Sequence, residues 1–289
     1  MSRRKKEWGS CRLCGAVGWL SFEHVPNRKA FNDRPIVKAG MDLYLADREQ
    51  MFRRGRIQQG GAGAFTLCGR CNSQTGHWYG RDYVDWAWRA LELLGRFPPT
   101  GVHEVQIRSR PLRFLKQALT MMFSVNRTGF ADEHEDLRRF VLDPKRTGLS
   151  PRYEVYLTLV RSGLSRTAGR TGLVSLESGK ARTLCEVVHV PFALLLTIDS
   201  DPLPRCGQIS WFSQFGYDEW KEVAVPLFAG EAHTPFPGDY RTQDQVDRDA
   251  AAGDAFARLP KDEQREQAPA FELETVMRAI EDAQRRLNR

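Results

Sequence analysis

The sequence predicts an α+β chain, in which an N-terminal module held by cysteines precedes a mixed antiparallel-sheet and helix domain. Three observations predict it. Two Cys-x-x-Cys pairs, Cys11-Arg12-Leu13-Cys14 and Cys68-Gly69-Arg70-Cys71, bracket the first part of the chain. Apolar residues recur at helical spacing up to Leu94 and again over Pro111–Asn126. Beyond residue 150 the pattern changes to short runs rich in β-branched and aromatic residues, separated by Gly, Ser and Pro turns.

Composition bounds the reading. The chain has 289 residues, 41% of them hydrophobic and 10% aromatic, enough for a sizeable core in one or two domains. The net charge is +7, and residues 1–100 hold 17 Lys and Arg against 9 Asp and Glu, whereas residues 242–289 hold 8 against 11. A basic excess gathered at one end suits a polyanionic partner there, with a solvated basic surface as the plainer alternative. Six cysteines, four of them in knuckles, do not resemble a disulfide framework in a chain this long. No run approaches the roughly 18 apolar residues of a membrane span, and no leader-like segment opens the chain. A reducing cytoplasm is therefore the expected location, with no membrane partner.

The elements follow in order. Arg3, Arg4, Lys5 and Lys6 read as a solvated tail or a phosphate contact. Each Cys-x-x-Cys knuckle turns two thiolates toward one point, so Cys11, Cys14, Cys68 and Cys71 together read as a tetrahedral zinc site. The 53 residues between Cys14 and Cys68 are far more than a simple zinc ribbon has, so the metal closes a large loop. Residues 15–22 read as a turn and strand that place Glu23 and His24 at the strand's end. Asp42–Ile57 predicts a helix with Arg48, Arg53, Arg54 and Arg56 on one face. A turn at Gln58–Ala64 and a strand at Ala64–Leu67 lead to the second knuckle. Asn72 or Ser73 would cap the next helix, which runs to Leu94 and stops at Gly95. Its aromatics read as core before they read as base-stacking surfaces.

Phe97–Gly101 is the expected domain boundary, which divides the chain into residues 1–97, 102–240 and 241–289. In the second part a helix is predicted at Pro111–Asn126 and a shorter one at Leu137–Leu142. Strands are predicted at Tyr153–Val160, Leu173–Leu176, Leu184–Ile198 (broken at Pro191), Gln208–Phe212 and Val223–Phe228. Arg161, Arg166, Arg170 and Arg182 read as a solvated face by default, with nucleic-acid contact as the alternative. The third part is polar and acidic and ends in an amphipathic helix at Glu272–Leu287, a candidate surface for a protein partner or a second copy of the chain.

The order Cys-x-x-Cys, then Glu23-His24-Val25-Pro26, then Cys68-Gly-Arg-Cys-Asn72-x-x-x-Gly76 resembles the HNH, or ββα-metal, endonuclease family over roughly Cys11–Leu94. The resemblance implies that His24 is a general base that activates water. It also implies that Glu23 and Asn72 hold one divalent cation, Mg²⁺ or Mn²⁺, and that the four cysteines hold a structural zinc. Nucleic acid, in the first place double-stranded DNA, is the implied partner. Capping and metal ligation compete for the Asn72 side chain. His77, just after Gly76, is either a further metal or phosphate ligand or a surface residue. The family usually places a scaffolding Asn nine residues before the Asn after the second knuckle, and here that position is Gly63. The alternative is a non-catalytic, zinc-stabilised nucleic-acid-binding module or a subunit of a larger complex. A restriction or phage-defence nuclease with a sensing domain is a context that suits such an architecture by analogy.

Overall fold

A computed structural model describes residues 7–40, 53–96, 101–160, 165–174, 181–200, 202–203 and 206–230, together with 251, 258, 260 and 263. The basic run at residues 3–6, most of the predicted arginine-bearing helix (41–52) and the C-terminal amphipathic helix lie outside the described residues.

The chain is mixed α+β with antiparallel sheets and, among the described residues, four helices. A three-stranded sheet comes first, in the order β1 (Glu7–Ser10), β2 (Val17–His24), β5 (Gly63–Cys68). Its strands β1 and β2 are joined by the first knuckle, and β5 runs straight into the second. A two-stranded ribbon, β3 (Ile36–Lys38) with β4 (Arg56–Gln58), sits in the long loop between β2 and β5. Residues 56–57, expected to end a helix, are therefore strand. Helix α1 (Gly69–Leu94) starts inside the second knuckle. Its N-cap is Cys68, whose sulfur accepts the Cys71 N–H, so Asn72 lies in the first turn and is not the cap. The competition for the Asn72 side chain is thus settled against capping.

Helix α2 (Pro111–Val125) is buried from Pro111 to Ser124 on every face, as a helix enclosed by other elements must be. It packs on α1, on β5, and on three strands of the large sheet. Two short helices, α3 (Phe130–Glu133) and α4 (Glu135–Leu142), follow. The large sheet has the order β6 (Gly101–Ser109), β12 (Lys221–Gly230), β7 (Tyr153–Val160), β10 (Phe192–Ile198), β9 (Ala181–His189), β8 (Arg166–Val174), with the short β11 (Gly207–Gln208) also on β7. Only the β12–β7 pairing is parallel. The predicted strand at Gln208–Phe212 is mostly a 3-10 turn, Ser210–Gln214. The turn tucks Phe212 under Trp86 and Phe114, where a strand would carry it past them.

The main apolar cluster runs from Cys11 and Leu13 through Trp86 and Phe114 to Leu227, with two small clusters around Leu195 and Ala193 beside it. Trp86 stacks on Phe114 at 4.4 Å and Tyr83 does so at 5.6 Å, which fixes α1 against α2. Charged residues are also buried, among them Lys116 and the pair Arg166 and Glu186. Lys116 donates its Nζ to the carbonyls of Asp143, Pro144 and Arg146, and burial lowers its pKa to about 7. Arg166 is not on a solvated face: it pairs with fully buried Glu186 in a two-pronged bridge of 2.6 and 2.7 Å. No helix among the described residues is long and apolar enough to cross a membrane.

Candidate functional site

The four predicted cysteines converge. Their sulfurs all lie within 4.8 Å of one another, with Cys14 and Cys68 at 3.9 Å. A tetrahedral zinc with Zn–S bonds of about 2.3 Å needs sulfurs roughly 3.8 Å apart, so the set fits a metal such as zinc. The thiols also behave as a shared set. A hydrogen bond from Cys71 pulls Cys11 down to about 4, while that same contact pushes Cys71 up, and burial pushes Cys14 up. Four thiolates packed this tightly can ionise together only around a cation.

The metal-binding knuckles position what lies between them. Strand β2 ends with Glu23 opposite Ala64 and His24 opposite Gly63 across the pairing with β5. His24 donates its Nε2–H to the Gly60 carbonyl at 2.9 Å, which selects the tautomer with a bare Nδ1 lone pair. Burial lowers its pKa, so the ring is neutral near pH 7. Asn72 donates Nδ2 to Ser21 Oγ at 3.1 Å and to the Phe22 carbonyl at 3.2 Å. Its carboxamide is thereby locked to β2, and Oδ1 is left to accept from or ligate something else. Glu23, His24 and Asn72 line one cleft of about 250 Å³. His77 is exposed and does not line it.

Glu23 is the most constrained of the three. It is 5% exposed, and its Oε2 accepts hydrogen bonds from Thr66 Oγ1 at 3.2 Å and from Ser124 Oγ. Oε1 is the oxygen left for a ligand. Burial raises the carboxyl pKa to about 7, against the pull of both hydroxyls. A raised folded-state pKa stabilises the fold below the ordinary carboxylate value of 4.5, and that stability is lost as pH rises through about 7. Without divalent cations Glu23 should therefore lower the melting temperature from pH 5 to pH 8, against His24 and Lys116, whose lowered pKa values act in the opposite direction. Glu23→Gln, which can still accept both hydroxyl bonds, should remove that contribution, so the wild-type melting temperature falls relative to the variant's as pH rises. An equal slope in the variant would assign the pH dependence to another group.

Sequence reasoning missed the residue that holds the loop after His24. It is Asn32, 1% exposed, whose Nδ2 donates to the carbonyls of Pro26 (2.6 Å) and Ala62 (2.8 Å) while Oδ1 accepts the Ala62 N–H (2.6 Å). No side chain could do this from Gly63, because a Cβ there would lie 2.1 Å from the Glu23 carbonyl oxygen. The scaffolding carboxamide therefore comes from the loop after β2. Asn32→Ala strands the Pro26 carbonyl and the Ala62 N–H, while the Ala62 carbonyl keeps the Val25 N–H, and should destabilise the protein by about 3 kcal/mol and lower any activity that depends on His24. Urea unfolding measures the first effect, and a loss under 1 kcal/mol would show that the loop does not depend on Asn32.

The second unpredicted contribution comes from α2. Ser124 bonds Glu23 across 101 residues of sequence, and Arg12, inside the first knuckle, donates to the Ser124 carbonyl at 2.7 Å. Gln117, also on α2, lines the cleft, as does the exposed Arg28. The site is thus shared between the zinc-knuckle region and the helix beyond the expected boundary. No local pattern marks Ser124 or Gln117, since both lie in an apolar helical stripe.

No protein-family model, curated protein or solved structure matches the chain. The class these observations define is coarser than a family: an α+β protein with a four-cysteine metal site beside a cleft that carries a neutral histidine, a buried carboxyl and a fixed carboxamide.

Proposed function

We propose that the protein is a metal-dependent endonuclease of the HNH type, hydrolysing nucleic-acid phosphodiester bonds, with DNA as the expected substrate. The observation that carries the reading is the cleft. It gathers His24, Glu23 and Asn72, which lie on one strand end and a helix start, and orients two of them by hydrogen bonds that leave a lone pair for chemistry.

In this reading Nδ1 of His24 takes a proton from water as the water attacks phosphorus in line, and the bond to the 3′ oxygen breaks to leave a 5′-phosphate. The carbonyl of Gly60 steadies the imidazolium that forms, through Nε2–H. Glu23 Oε1 and Asn72 Oδ1 are hard oxygen donors that suit Mg²⁺ or Mn²⁺, which when bound would stabilise charge on the phosphate and the leaving oxygen. Because Glu23 must lose its proton to ligate, activity at fixed, limiting Mg²⁺ should climb through about pH 7, above the range where His24 becomes neutral. Zinc in the four-cysteine site would be architectural.

The competing reading, a non-catalytic zinc module that binds nucleic acid, draws on the burial of Glu23, which resembles a neutral structural acid more than a free ligand. Incubating supercoiled plasmid with and without Mg²⁺ or Mn²⁺ separates the two, with His24→Ala as control. Omitting the cation is cleaner than adding EDTA, which could also strip zinc. Cation-dependent nicking confined to the wild type supports the nuclease. Binding without cleavage under every condition favours the module.

A further inference from the structure

The far end of the same cleft presents hydrogen-bonding groups that neither water nor a cation at Asn72 would use. From Asn72 to Gly80, α1 rises by eight residues, about 12 Å. At Gly80 the bare backbone makes room for two carboxamides. A Cβ there would lie 3.1 Å from Asn27 Nδ2 and 3.9 Å from Gln117 Oε1. Gln117 is 5% exposed, lines the cleft, and its Oε1 is buried without a hydrogen-bond partner among the described residues. Such an orphaned acceptor is destabilising, and a ligand donating to it recovers the loss. Asn27 also lines the cleft, and its Oδ1 already accepts the Lys29 N–H at 3.0 Å, so Nδ2, without a hydrogen-bond partner among the described residues, is its remaining donor. The far end therefore offers an acceptor beside a donor. Arg28 adds an exposed guanidinium to the lining, suited to a phosphate.

We propose that this end binds an unpaired nucleobase, carried by the strand whose phosphodiester lies at His24 and Asn72. The proposal rests on the nuclease reading. Nucleobase edges present an N–H beside a ring nitrogen or carbonyl, and paired carboxamide contacts are a common way to read them. A base stacked and paired within a duplex cannot enter a pocket without leaving the stack, so the substrate delivers the base either extruded or from single-stranded nucleic acid. Gly76, on the α1 side of the cleft, keeps that wall clear of a side chain.

The test uses the full-length, zinc-loaded protein and a fluorescent 12-nucleotide single strand, compared with strands in which one position at a time keeps its sugar and lacks its base. Wild type should bind the intact strand about ten-fold more tightly than the strand abasic at one particular position. Gln117→Leu, with a thermal melt to confirm folding, should bind those two strands equally. Equal wild-type affinity for all strands, or a preference that persists in Gln117→Leu, overturns the base site and this assignment. Plasmid cleavage is read in parallel. Cleavage that depends on His24 with no abasic effect removes the base site alone, whereas an abasic effect without cleavage removes the nuclease reading alone.

Discussion

His24→Ala is expected to lower cation-dependent plasmid cleavage by about 10²- to 10⁴-fold, the range a positioned general base contributes. Binding and folding should change little. The ring is half-buried and its one protein hydrogen bond goes to the Gly60 carbonyl, so truncation frees a carbonyl near the cleft and leaves no buried charge. The loop that follows His24 is held independently by Asn32. The prediction therefore separates chemistry from architecture: nucleic-acid affinity and melting temperature stay near wild type while the rate collapses. The pH profile adds a second check. With Glu23 ionising near 7, the residual activity of His24→Ala should still rise with pH if the cation site survives. Cleavage by His24→Ala at the wild-type rate would end the nuclease reading whatever the metal dependence.

Local features of the sequence made the cysteine site and its neighbours legible. Cys-x-x-Cys knuckles are short-range geometry, and the strand end at His24 and the helix after Cys71 follow from patterns a few residues wide. The strand Tyr153–Val160 and the split of Leu184–Ile198 around Pro191 were legible for the same reason. What escaped depends on pairings across the chain. Asn32 is marked by nothing in its own neighbourhood; its role exists because β5 passes beside it with Ala62 facing inward. Ser124 and Gln117 are polar residues in an apolar stripe, and only the packing of α2 onto the knuckle region turns them toward the cleft. Strand β6, where Val105, Ile107 and Ser109 are buried between exposed neighbours, was not predicted, although that alternation is local to the sequence.

Removing the metal from the cysteine site should have the largest effect on stability. Cys68 carries two jobs: it offers a ligand sulfur, and that sulfur accepts the Cys71 N–H to cap α1. Wild type should contain one zinc per chain and Cys68→Ala close to none. Structural zinc contributes about 10–16 kcal/mol in isolated finger peptides. Here α1 is also held by Trp86, Tyr83 and the wider core, so part of the fold survives and a loss of about 5 kcal/mol is expected, lowering the melting temperature by about 10–15 °C. Cys206→Ala is the control, because Cys206 lies outside the cluster. Activity should fall with the zinc even though no cysteine lines the cleft, since the two knuckles fix β2 against β5 and the start of α1, and so set His24 relative to Asn72. An unchanged melting temperature in Cys68→Ala, with full zinc content, would mean that the sulfurs converge without serving as the metal site. Retained zinc alone would mean that three ligands suffice. If zinc is lost and stability drops while cleavage persists, the knuckles support the fold without setting the geometry of the cleft, and Asn32 with Ser124 would carry that task.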